Sequence, residues 1–217
     1  MLALIAAVGL QGQLGLHGGL PWKTLKSDRQ WFRQITQAQF PLHVGRHLLR
    51  YPRSICATGD CFATTPHNAV IMGRRTWESL PMPLSNRVPI ILSHGRQPRM
   101  SDHGHWGCKS FDEAILVATN VEYVNAPHTF VIGGARVYAE GLRHPKLETL
   151  FLTEVEYDGE ADTWWPVGYN WEEGKIHHLG CSEFGTILVH KFHRTHVSNW
   201  ITEPDRPAYR FGLWERT

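Results

Sequence analysis

Short runs of apolar residues, each ended by glycines or polar residues, recur along the chain and predict strands. The first run, from Leu2 to Val8, is continuously apolar and stops at a glycine, which is typical of a central strand buried on both faces. Further short strands are predicted at 69–73, 88–92, 129–132 and 149–155. The runs at 185–193 and 209–214 predict an antiparallel pair that closes the sheet.

Helical patterns follow several of these strands. Ser110 and Glu113 form a capping box that predicts a helix ending near Thr119. Two arginines open a second helix directly after the strand at 69–73, and a glycine pair leads from the strand at 129–132 into a third helix. Because strands and helices alternate, the sequence predicts an α/β fold with an antiparallel edge at the C-terminal end.

A further predicted helix carries a carboxylate on its apolar stripe. If Ser27 caps this helix, four residues fall at positions i, i+3, i+4 and i+7 of one face, namely Asp28, Trp31, Phe32 and Ile35. Asp28 then points inward, where an ionised carboxylate costs several kcal/mol unless hydrogen-bond donors surround it. In the alternative interpretation, Asp28 lies in the first helical turn, interacts favourably with the helix dipole and stays solvated.

Composition is that of one ordinary folded domain. The 217 residues, 42% of them hydrophobic and 19% charged, suffice for one core. The net charge of +2 gives no reason to expect nucleic acid or a membrane as the partner. The four cysteines include no CxxC pair, which is typical of reduced thiols in a reducing compartment. The N-terminal apolar run is too short to cross a bilayer. A cytoplasmic protein is therefore expected.

One long stretch, 37–68, shows scattered prolines and no sustained periodicity. This pattern predicts a surface insertion, with a short helix near 44–49. The glycines at 9, 12 and 15 do not complete a GxGxxG motif, because they are evenly spaced and no helix follows them directly.

Three predicted strand ends carry groups that suit phosphate. In chain order these groups are Arg74 and Arg75, Ser93 and His94, and the glycine pair 133–134. Guanidinium groups and the free backbone N–H groups at helix starts both bind phosphate. Since ligands of open α/β sheets bind outside the carboxyl ends of the strands, these three ends together predict a nucleotide.

The sequence resembles the dihydrofolate reductase family in a series of short motifs that occur in the family's order. They include Leu-Pro-Trp at 20–22, Trp-Phe at 31–32, Val-Ile-Met-Gly-Arg-Arg-Thr-Trp-Glu-Ser at 70–79, Ile-Ile-Leu-Ser at 90–93, Val-Ile-Gly-Gly-Ala-Arg-Val-Tyr at 131–138, Leu-Thr at 152–153 and Asp-Thr at 162–163. The resemblance covers residues 2–36, 69–95, 107–166 and 207–216.

The resemblance implies one domain, 1–217, with the family's three-layer α/β fold. A central, mostly parallel twisted sheet would carry a C-terminal antiparallel hairpin, with helices on both faces of the sheet. In this domain 37–68 is the surface insertion, and 167–207 is an extended C-terminal hairpin region.

The resemblance also implies NADPH-dependent reduction of 7,8-dihydrofolate to 5,6,7,8-tetrahydrofolate, a reaction of one-carbon metabolism. Hydride would pass from nicotinamide C4 to pterin C6, and water admitted beside Leu20 and held by Trp22 would protonate N5. Asp28 matches the family's pterin-binding acid, so the implied catalytic residues are Asp28, Trp22 and Leu20. Bidentate pairing with the pterin 2-amino group and N3–H would supply the donors that a buried carboxylate needs.

Substrate and cofactor residues follow from the same motifs. Thr153 would orient Asp28, and Arg87 would pair with the α-carboxylate of the substrate's glutamate. The implied substrate-binding residues are Ile5, Ala7, Asp28, Phe32, Leu80, Leu84, Arg87, Ile132, Tyr138 and Thr153. The implied cofactor-binding residues are Ala7, Leu14, Gly15, Gly73, Arg74, Arg75, Thr76, Leu92, Ser93, His94, Lys109, Ile132, Gly133, Gly134, Ala135, Arg136, Val137 and Tyr138. Of these, Ser93, His94 and Lys109 lie where the family binds a 2′-phosphate, which favours NADPH over NADH.

Loop behaviour and partners are implied as well. The glycine-rich stretch 9–22 matches the family's mobile loop, which closes over nicotinamide and pterin, and Asp162 lies in the loop that supports the closed form. The family's diglycine, matched by Gly133 and Gly134, is usually joined by a cis peptide. A monomer that binds diaminopyrimidine and diaminopteridine antifolates is further implied.

Three other interpretations of these residues are possible. The pyrimidine reductase of riboflavin synthesis shares the fold and the NADPH site, but would not be expected to keep Trp22 and Asp28. A catalytically silent pterin- or nucleotide-binding module would not need the chemical residues. His103, His105 and Cys108 could ligate zinc, but 14 histidines make chance clusters common, and no metal is expected.

Overall fold

The computed structural model describes residues 1–38, 67–93, 99–101, 104–170, 175–176, 179–182, 185–188 and 191–217. The helices in these residues are α1 (Lys26–Gln37), α2 (Arg74–Ser79), α3 (Phe111–Thr119) and α4 (Ala135–Arg143). The strands are β1 (Leu2–Gly9), β2 (Gln13–Gly15), β3 (Asn68–Gly73), β4 (Arg87–Leu92), β5 (Arg99–Met100), β6 (Trp106–Cys108), β7 (Thr129–Val131), β8 (Leu147–Val155), β9 (Thr163–Trp164), β10 (Tyr169–Asn170), β11 (Lys175–Ile176), β12 (Leu179–Ser182), β13 (Gly185–Leu188), β14 (Phe192–Val197) and β15 (Tyr209–Arg216).

Eleven of the described strands form one sheet, in the order β10-β11-β14-β15-β8-β1-β7-β3-β4-β6-β5. The strands from β8 to β6 run parallel to one another, whereas β15 pairs antiparallel with β8, and β14 pairs antiparallel with β15. Strand β1 lies at the centre, between β7 and β8. The predicted α/β class, with a mostly parallel sheet and a C-terminal antiparallel hairpin, is confirmed.

Alternate residues of β1 enter two separate apolar layers. Leu4 belongs to the cluster that contains Phe111 of α3 and Leu142 of α4. Ile5 belongs to the opposite cluster, together with Trp31 of α1. Because the side chains of a strand alternate in direction, one continuously apolar run serves both layers. Helices therefore cover both faces of the sheet, as the resemblance implied.

Most element predictions are confirmed to within two residues at each end. This holds for the strands predicted at 69–73, 88–92, 129–132 and 149–155. The capping box is also present, since the Ser110 hydroxyl accepts from the Glu113 N–H at 3.2 Å and α3 ends at Thr119. Part of the glycine-rich stretch 9–22, which was expected to be a loop, is instead the short strand β2, which pairs with β9.

Two local predictions are wrong. Helix α1 begins before Ser27, with Leu25 at the N-cap, so Ser27 does not cap it. Only the end of the predicted run 185–193 pairs with the last strand, because β15 pairs with β14, which begins at Phe192, while β13 pairs with β12. Several stretches of the C-terminal region alternate with the period of a strand, and alternation alone does not say which of them are partners.

Two predicted features fall mainly outside the described residues. The short helix near 44–49 lies there, as does most of the stretch 37–68, whose ends Gln37 and Asn68 belong to α1 and β3. Within the described ranges, no helix is both long enough and apolar enough to cross a bilayer.

Candidate active site

Asp28 lies in the first turn of α1 and points toward β8. Thr153 of β8 is 1% exposed, and its hydroxyl donates a hydrogen bond of 2.6 Å to the Asp28 carboxylate. The helix is anchored by Trp31, which is buried and stacks on Phe211 with ring centroids 4.4 Å apart. The inward orientation that the apolar stripe predicted for Asp28 is confirmed.

Burial raises the pKa of the Asp28 carboxyl from 3.8 to about 6. The Thr153 hydrogen bond opposes this rise, while the negative charge of Glu203 adds to it. Asp28 does lie in the first turn, as the alternative interpretation held, but it is only partly exposed and is bonded to Thr153. At neutral pH the group is still mostly ionised and can accept hydrogen bonds on both oxygens.

Apolar side chains from α1, β1 and the ends of β7 and α2 gather on the α1 face of the sheet. This cluster contains six of the predicted substrate-binding residues, namely Ile5, Ala7, Phe32, Leu80, Leu84 and Ile132. Ile5 and Ile132 are buried, whereas the other four are partly exposed. Partly exposed apolar side chains near a buried carboxylate suit a flat ring with one polar edge.

Trp22 and Leu20 lie on the segment that precedes α1. Trp22 is buried and packs edge-on against Tyr157, with ring centroids 5.5 Å apart. Its indole Nε1 has no hydrogen-bond partner among the described residues. Leu20 is 50% exposed. A buried indole N–H without a protein partner is an available donor for a water or a ligand.

Arg87 opens β4, and its guanidinium lies 5.8 Å from the centroid of the Phe32 ring in the apolar cluster. The group donates to the Thr36 hydroxyl at 2.8 Å and to the Ser85 carbonyl at 3.0 Å. Burial, together with the charge of Arg33, lowers the pKa of Arg87 to about 10. The group is therefore charged at neutral pH, and no carboxylate in the described part of the chain pairs with it. This charge is available to an anion.

The ends of β3 and β7 meet at the glycine pair. The Gly73 N–H donates to the Gly133 carbonyl at 2.8 Å, and the peptide between Gly133 and Gly134 is cis, as the resemblance implied. Gly133 has a φ of 113°, and a Cβ atom there would lie 3.1 Å from the Tyr138 ring. Tyr138 in turn donates to the Ile5 carbonyl at 2.9 Å. Glycine is required at 133 by both the backbone conformation and this close approach.

The first turn of α4 follows the glycine pair directly. Ala135, Val137 and Tyr138 are buried, whereas Arg136 is exposed and pairs with Glu140 at 3.5 Å. Burial, followed by the charge of Asp28, raises the pKa of Tyr138, so its hydroxyl remains a donor. The free backbone N–H groups at the start of this helix suit a phosphate.

Helix α2 places two arginines just beyond the end of β3. Arg74 pairs with Glu78 at 2.7 Å, and that interaction raises the pKa of its guanidinium. Arg75 is exposed, and no ion pair holds it within the described residues. Thr76 lies beside the glycine pair, because a Cβ atom on Gly134 would lie 3.5 Å from its hydroxyl oxygen. Arg75 therefore has the less neutralised of the two positive charges.

The ends of β4 and β6 also lie side by side. The Ser93 N–H donates to the Cys108 carbonyl at 2.9 Å, and Lys109, the next residue, is exposed. Leu92 closes β4 and is half-buried. His94, which was predicted to join this group, lies outside the described residues. The predicted phosphate-binding groups that are described thus occupy neighbouring strand ends.

Strand pairing and hydrogen bonds hold the glycine-rich stretch 9–22 against the residues around Asp162. Leu14 is buried in β2, which pairs with β9. The Asp162 carboxylate accepts from the His17 N–H at 2.7 Å and from the Thr163 hydroxyl at 3.0 Å, and these bonds lower its pKa. The Asp162 N–H donates to the Gly15 carbonyl at 3.0 Å. The contact between this loop and Asp162 is present as the resemblance implied.

Glu203 caps α1 although no sequence pattern pointed to it. Its carboxylate oxygens accept from the N–H groups of Lys26 and Ser27, each at 3.2 Å, and from the Tyr209 hydroxyl at 2.5 Å. The sequence gives only an indirect indication of such a residue, namely the lack of a capping side chain at the start of α1. Leu25 occupies the N-cap and has no side-chain acceptor, so the free N–H groups of the first turn need an acceptor from elsewhere in the chain.

The three residues that could have ligated zinc, at 103, 105 and 108, are only partly described. His103 lies outside the described residues, and the His105 Nδ1 atom lies 2.9 Å from the Ser101 hydroxyl oxygen. Cys108 is buried in the core, and burial raises the pKa of its thiol to about 12. The part of the chain that the structure describes holds no group of three potential metal ligands.

Comparison with known proteins relates most of the chain to one family. A family model described as dihydrofolate reductase matches residues 61–180. The dihydrofolate reductase of Encephalitozoon cuniculi is 34% identical over a region that covers 76% of this chain and 74% of the relative. That of Heliothis virescens is 31% identical, with 76% and 78% covered. That of Pneumocystis carinii is 29% identical over 99% of this chain and 96% of the relative, so the similarity extends through 37–68 and 167–207.

Proposed function

This chain belongs to the dihydrofolate reductase family, and we propose that the site around Asp28 is where it reduces 7,8-dihydrofolate to 5,6,7,8-tetrahydrofolate, with NADPH as the hydride donor. The protein is an oxidoreductase of a family that uses a nicotinamide cofactor. The observation that carries the assignment is the half-buried Asp28 carboxylate, oriented by Thr153 near partly exposed apolar side chains. A dihydropterin is a flat ring with adjacent amino and N–H donors, which such a carboxylate can bind.

Asp28 acts by holding and polarising the pterin. One carboxylate oxygen accepts from the 2-amino group and the other from N3–H, while Thr153 fixes the plane of the carboxylate. Both donors favour the ionised form of Asp28, so binding counteracts the rise in its pKa that burial causes. The negative charge held at this edge of the ring favours the gain of a proton at N5.

Trp22 and Leu20 act on the water that supplies this proton. The buried Trp22 Nε1 can hold a water molecule by hydrogen bonding, and Leu20 lies on the exposed segment beside which water enters. The stretch 9–22 excludes other water while it is fastened at Asp162. NADPH, when bound, supplies the hydride from nicotinamide C4 to pterin C6.

The backbone around Gly73, Gly133 and Gly134 suits the binding of a nicotinamide cofactor. The strand ends at Gly73 and at the glycine pair carry no side chains. Backbone can therefore approach a ligand closely here, and the N–H groups of α4 follow for the pyrophosphate. The residues assigned to the nicotinamide half are Ala7, Leu14, Gly15 and Ile132, and those assigned to the phosphates are Arg74, Arg75, Thr76, Ser93 and Lys109.

Arg75 is expected to contribute more to NADPH binding than Arg74. The positive charge of Arg74 is already neutralised by Glu78 at 2.7 Å, whereas Arg75 has no such partner among the described residues. We expect Arg75→Gln to raise KM for NADPH by roughly tenfold, since a hydrogen bond to a charged group contributes about 1.5–3 kcal/mol. Arg74→Gln should raise it by a smaller factor. Steady-state kinetics at low and high salt measure both, and equal effects of the two variants would contradict the assignment.

Arg87 is proposed to bind the α-carboxylate of the substrate's glutamate. This part of the substrate does not change during hydride transfer, so the interaction is the same in ground and transition states. We expect Arg87→Gln to raise KM for dihydrofolate by roughly 10- to 100-fold with little change in kcat. Arg29→Gln, on the exposed face of α1, is the matched control and should leave KM unchanged. A fall in kcat at unchanged KM would show that Arg87 has a different role.

The proposal is tested by following NADPH oxidation on addition of dihydrofolate, with and without a diaminopyrimidine antifolate. Turnover that the antifolate blocks is the expected result, because the inhibitor presents the same donor edge to Asp28 as the pterin does. Turnover of a ribosylaminopyrimidine but not of dihydrofolate would assign the chain to the riboflavin-type reductase. Binding of NADPH without hydride transfer to either substrate would indicate a silent binding module.

We further propose the domain organisation, the location and the oligomeric state of the protein. One domain spanning 1–217 is supported by the alignment with the Pneumocystis carinii relative over 99% of the chain. A cytoplasmic location is supported by Cys108, which is a free thiol. The protein is proposed to act as a monomer and to bind diaminopyrimidine and diaminopteridine antifolates at Asp28.

A further inference from the structure

We propose that Glu203 is a positioning residue for the reduction, because its carboxylate caps helix α1 from a distant part of the chain and thereby holds Asp28 at the edge of the pterin. The inference rests on the proposed function of Asp28. Glu203 lies in the connection between β14 and β15, and the hydrogen bond to Ser27 spans 176 positions in the chain. Glu203 therefore joins α1 to the C-terminal hairpin by hydrogen bonds, in addition to the stacking of Trp31 on Phe211.

The first turn of α1 depends on an external acceptor. The N–H groups at a helix start have no partner within the helix, and Leu25 at the N-cap makes no side-chain capping bond. Glu203 accepts from Lys26 with one carboxylate oxygen and from Ser27 with the other, at 3.2 Å each. Asp28 is the next residue, so a shift of this turn moves the Asp28 carboxylate directly.

Glu203 is itself fixed from two sides. The hydroxyl of Tyr209, which is fully buried at the start of β15, donates to it at 2.5 Å. Arg206 lies 3.5 Å from the carboxylate, and its guanidinium donates to the Thr24 carbonyl at 2.6 Å. The side chain of Glu203 is only 13% exposed. A carboxylate held by three hydrogen bonds and one ion pair keeps one geometry, which is what a positioning residue requires.

The charge of Glu203 adds an electrostatic effect to the cap. Burial raises the pKa of Glu203, but the bonds from Tyr209, Lys26 and Ser27 and the charge of Arg206 outweigh it, so the net pKa lies below the usual value. The residue is therefore anionic at neutral pH and raises the pKa of Asp28. Among the described residues, Thr153 on β8 and Tyr138 on α4 also lie near Asp28, and its own helix carries Lys26 and Arg29, which are exposed.

Two variants and one control test the cap and its charge. Glu203→Gln removes the charge and keeps one acceptor oxygen, which can serve Ser27 and Tyr209, but places an NH₂ group toward the Lys26 N–H. Glu203→Ala removes the charge and both acceptors. Leu116→Gly is the matched control for lost helix stability, because Leu116 is 52% exposed in α3, on the opposite face of the sheet. Glycine there costs about 1 kcal/mol, similar to the loss of a helix cap. The measurements are the carboxyl ¹³C NMR titration of Asp28, assigned with Asp28→Asn, and KM and kcat for dihydrofolate across pH.

Glu203→Gln is expected to move the Asp28 titration to lower pH. Glu203→Ala should also move the Asp28 titration to lower pH. In addition, it should lower kcat/KM by roughly tenfold through a higher KM, because a small displacement of a group that holds the substrate weakens binding by a large factor. Leu116→Gly should lower the melting temperature but leave the titration and KM unchanged. The proposal is overturned if Glu203→Ala leaves the Asp28 titration as it is in the wild type, or if Leu116→Gly changes KM as much as Glu203→Ala. The NMR titration needs no substrate, so it remains decisive even if dihydrofolate is not turned over.

Discussion

The Asp28→Asn variant is expected to lose turnover by roughly 10²- to 10³-fold, while its folded state becomes more stable above neutral pH. Asparagine has nearly the shape of aspartate, and its amide oxygen can still accept from the Thr153 hydroxyl. Its NH₂ group, however, faces a pterin edge that offers only donors, so the bidentate pairing is lost. Retention of near wild-type turnover at neutral pH would show that Asp28 does not have the assigned role.

The gain in stability follows from the direction of the pKa shift. The pKa of Asp28 is about 6 in the folded protein against 3.8 in the unfolded chain, so ionisation is less favourable in the folded state. This cost is absent below the unfolded pKa, grows as the pH rises between the two values and is complete above the folded pKa. The shift corresponds to at most about 3 kcal/mol, and partial exposure reduces it to roughly 1–2 kcal/mol.

Urea unfolding of wild type and Asp28→Asn at about pH 5 and about pH 8 measures this effect. The stability difference between the two proteins should be larger at the higher pH. Asp162→Asn is the matched control, because hydrogen bonds from His17 and Thr163 lower the pKa of that carboxyl. Removing its charge should give no stabilisation at either pH. A stability difference for Asp28→Asn that does not change with pH would contradict the assigned burial of its charge.

The Gly133→Ala variant is expected to lose both stability and NADPH binding. Alanine adopts the φ of 113° only with strain, and its Cβ atom would lie 3.1 Å from the Tyr138 ring. Tyr138 would have to move, which disturbs its 2.9 Å bond to the Ile5 carbonyl. We expect a loss of roughly 2–4 kcal/mol in the free energy of unfolding and at least a tenfold weaker affinity for NADPH.

Gly141→Ala is the matched control for this substitution. Gly141 lies inside α4, and a Cβ atom there would lie 3.4 Å from Val131, an ordinary contact distance. Alanine is favoured over glycine in a helix interior, so a gain of roughly 0.5–1 kcal/mol is expected. Urea unfolding and fluorescence titration with NADPH compare the two variants. Wild-type NADPH affinity in Gly133→Ala would show that the glycine pair does not support the cofactor.

Local patterns predicted those parts of the fold in which neighbouring residues determine the structure. The apolar run of β1, the capping box at Ser110 and the inward face of α1 each depend on residues a few positions apart. The orientation of Asp28 was predictable for this reason, since it follows from the spacing to Trp31 and Ile35.

The features that the sequence did not predict depend on distant residues. Leu25 is the N-cap of α1 because Glu203 supplies the acceptors, and nothing near Leu25 in the sequence identifies that partner. The pairing of β14 with β15 likewise depends on register across a long connection. The approach of Tyr138 to Gly133 explains why glycine is needed there, but only the folded α4 shows it. Motifs that indicate phosphate were individually weak, and their common location at neighbouring strand ends follows only from the sheet order.

The central claim, that Asp28 binds the pterin during reduction, is tested most directly by a crystal structure of the protein with oxidised cofactor and folate. We predict that both Asp28 carboxylate oxygens lie within about 3 Å of the pterin, one at the 2-amino group and one at the N3 atom. Thr153 should keep its hydrogen bond to the same carboxylate. A pterin bound with these atoms more than about 4 Å from Asp28 would contradict the account.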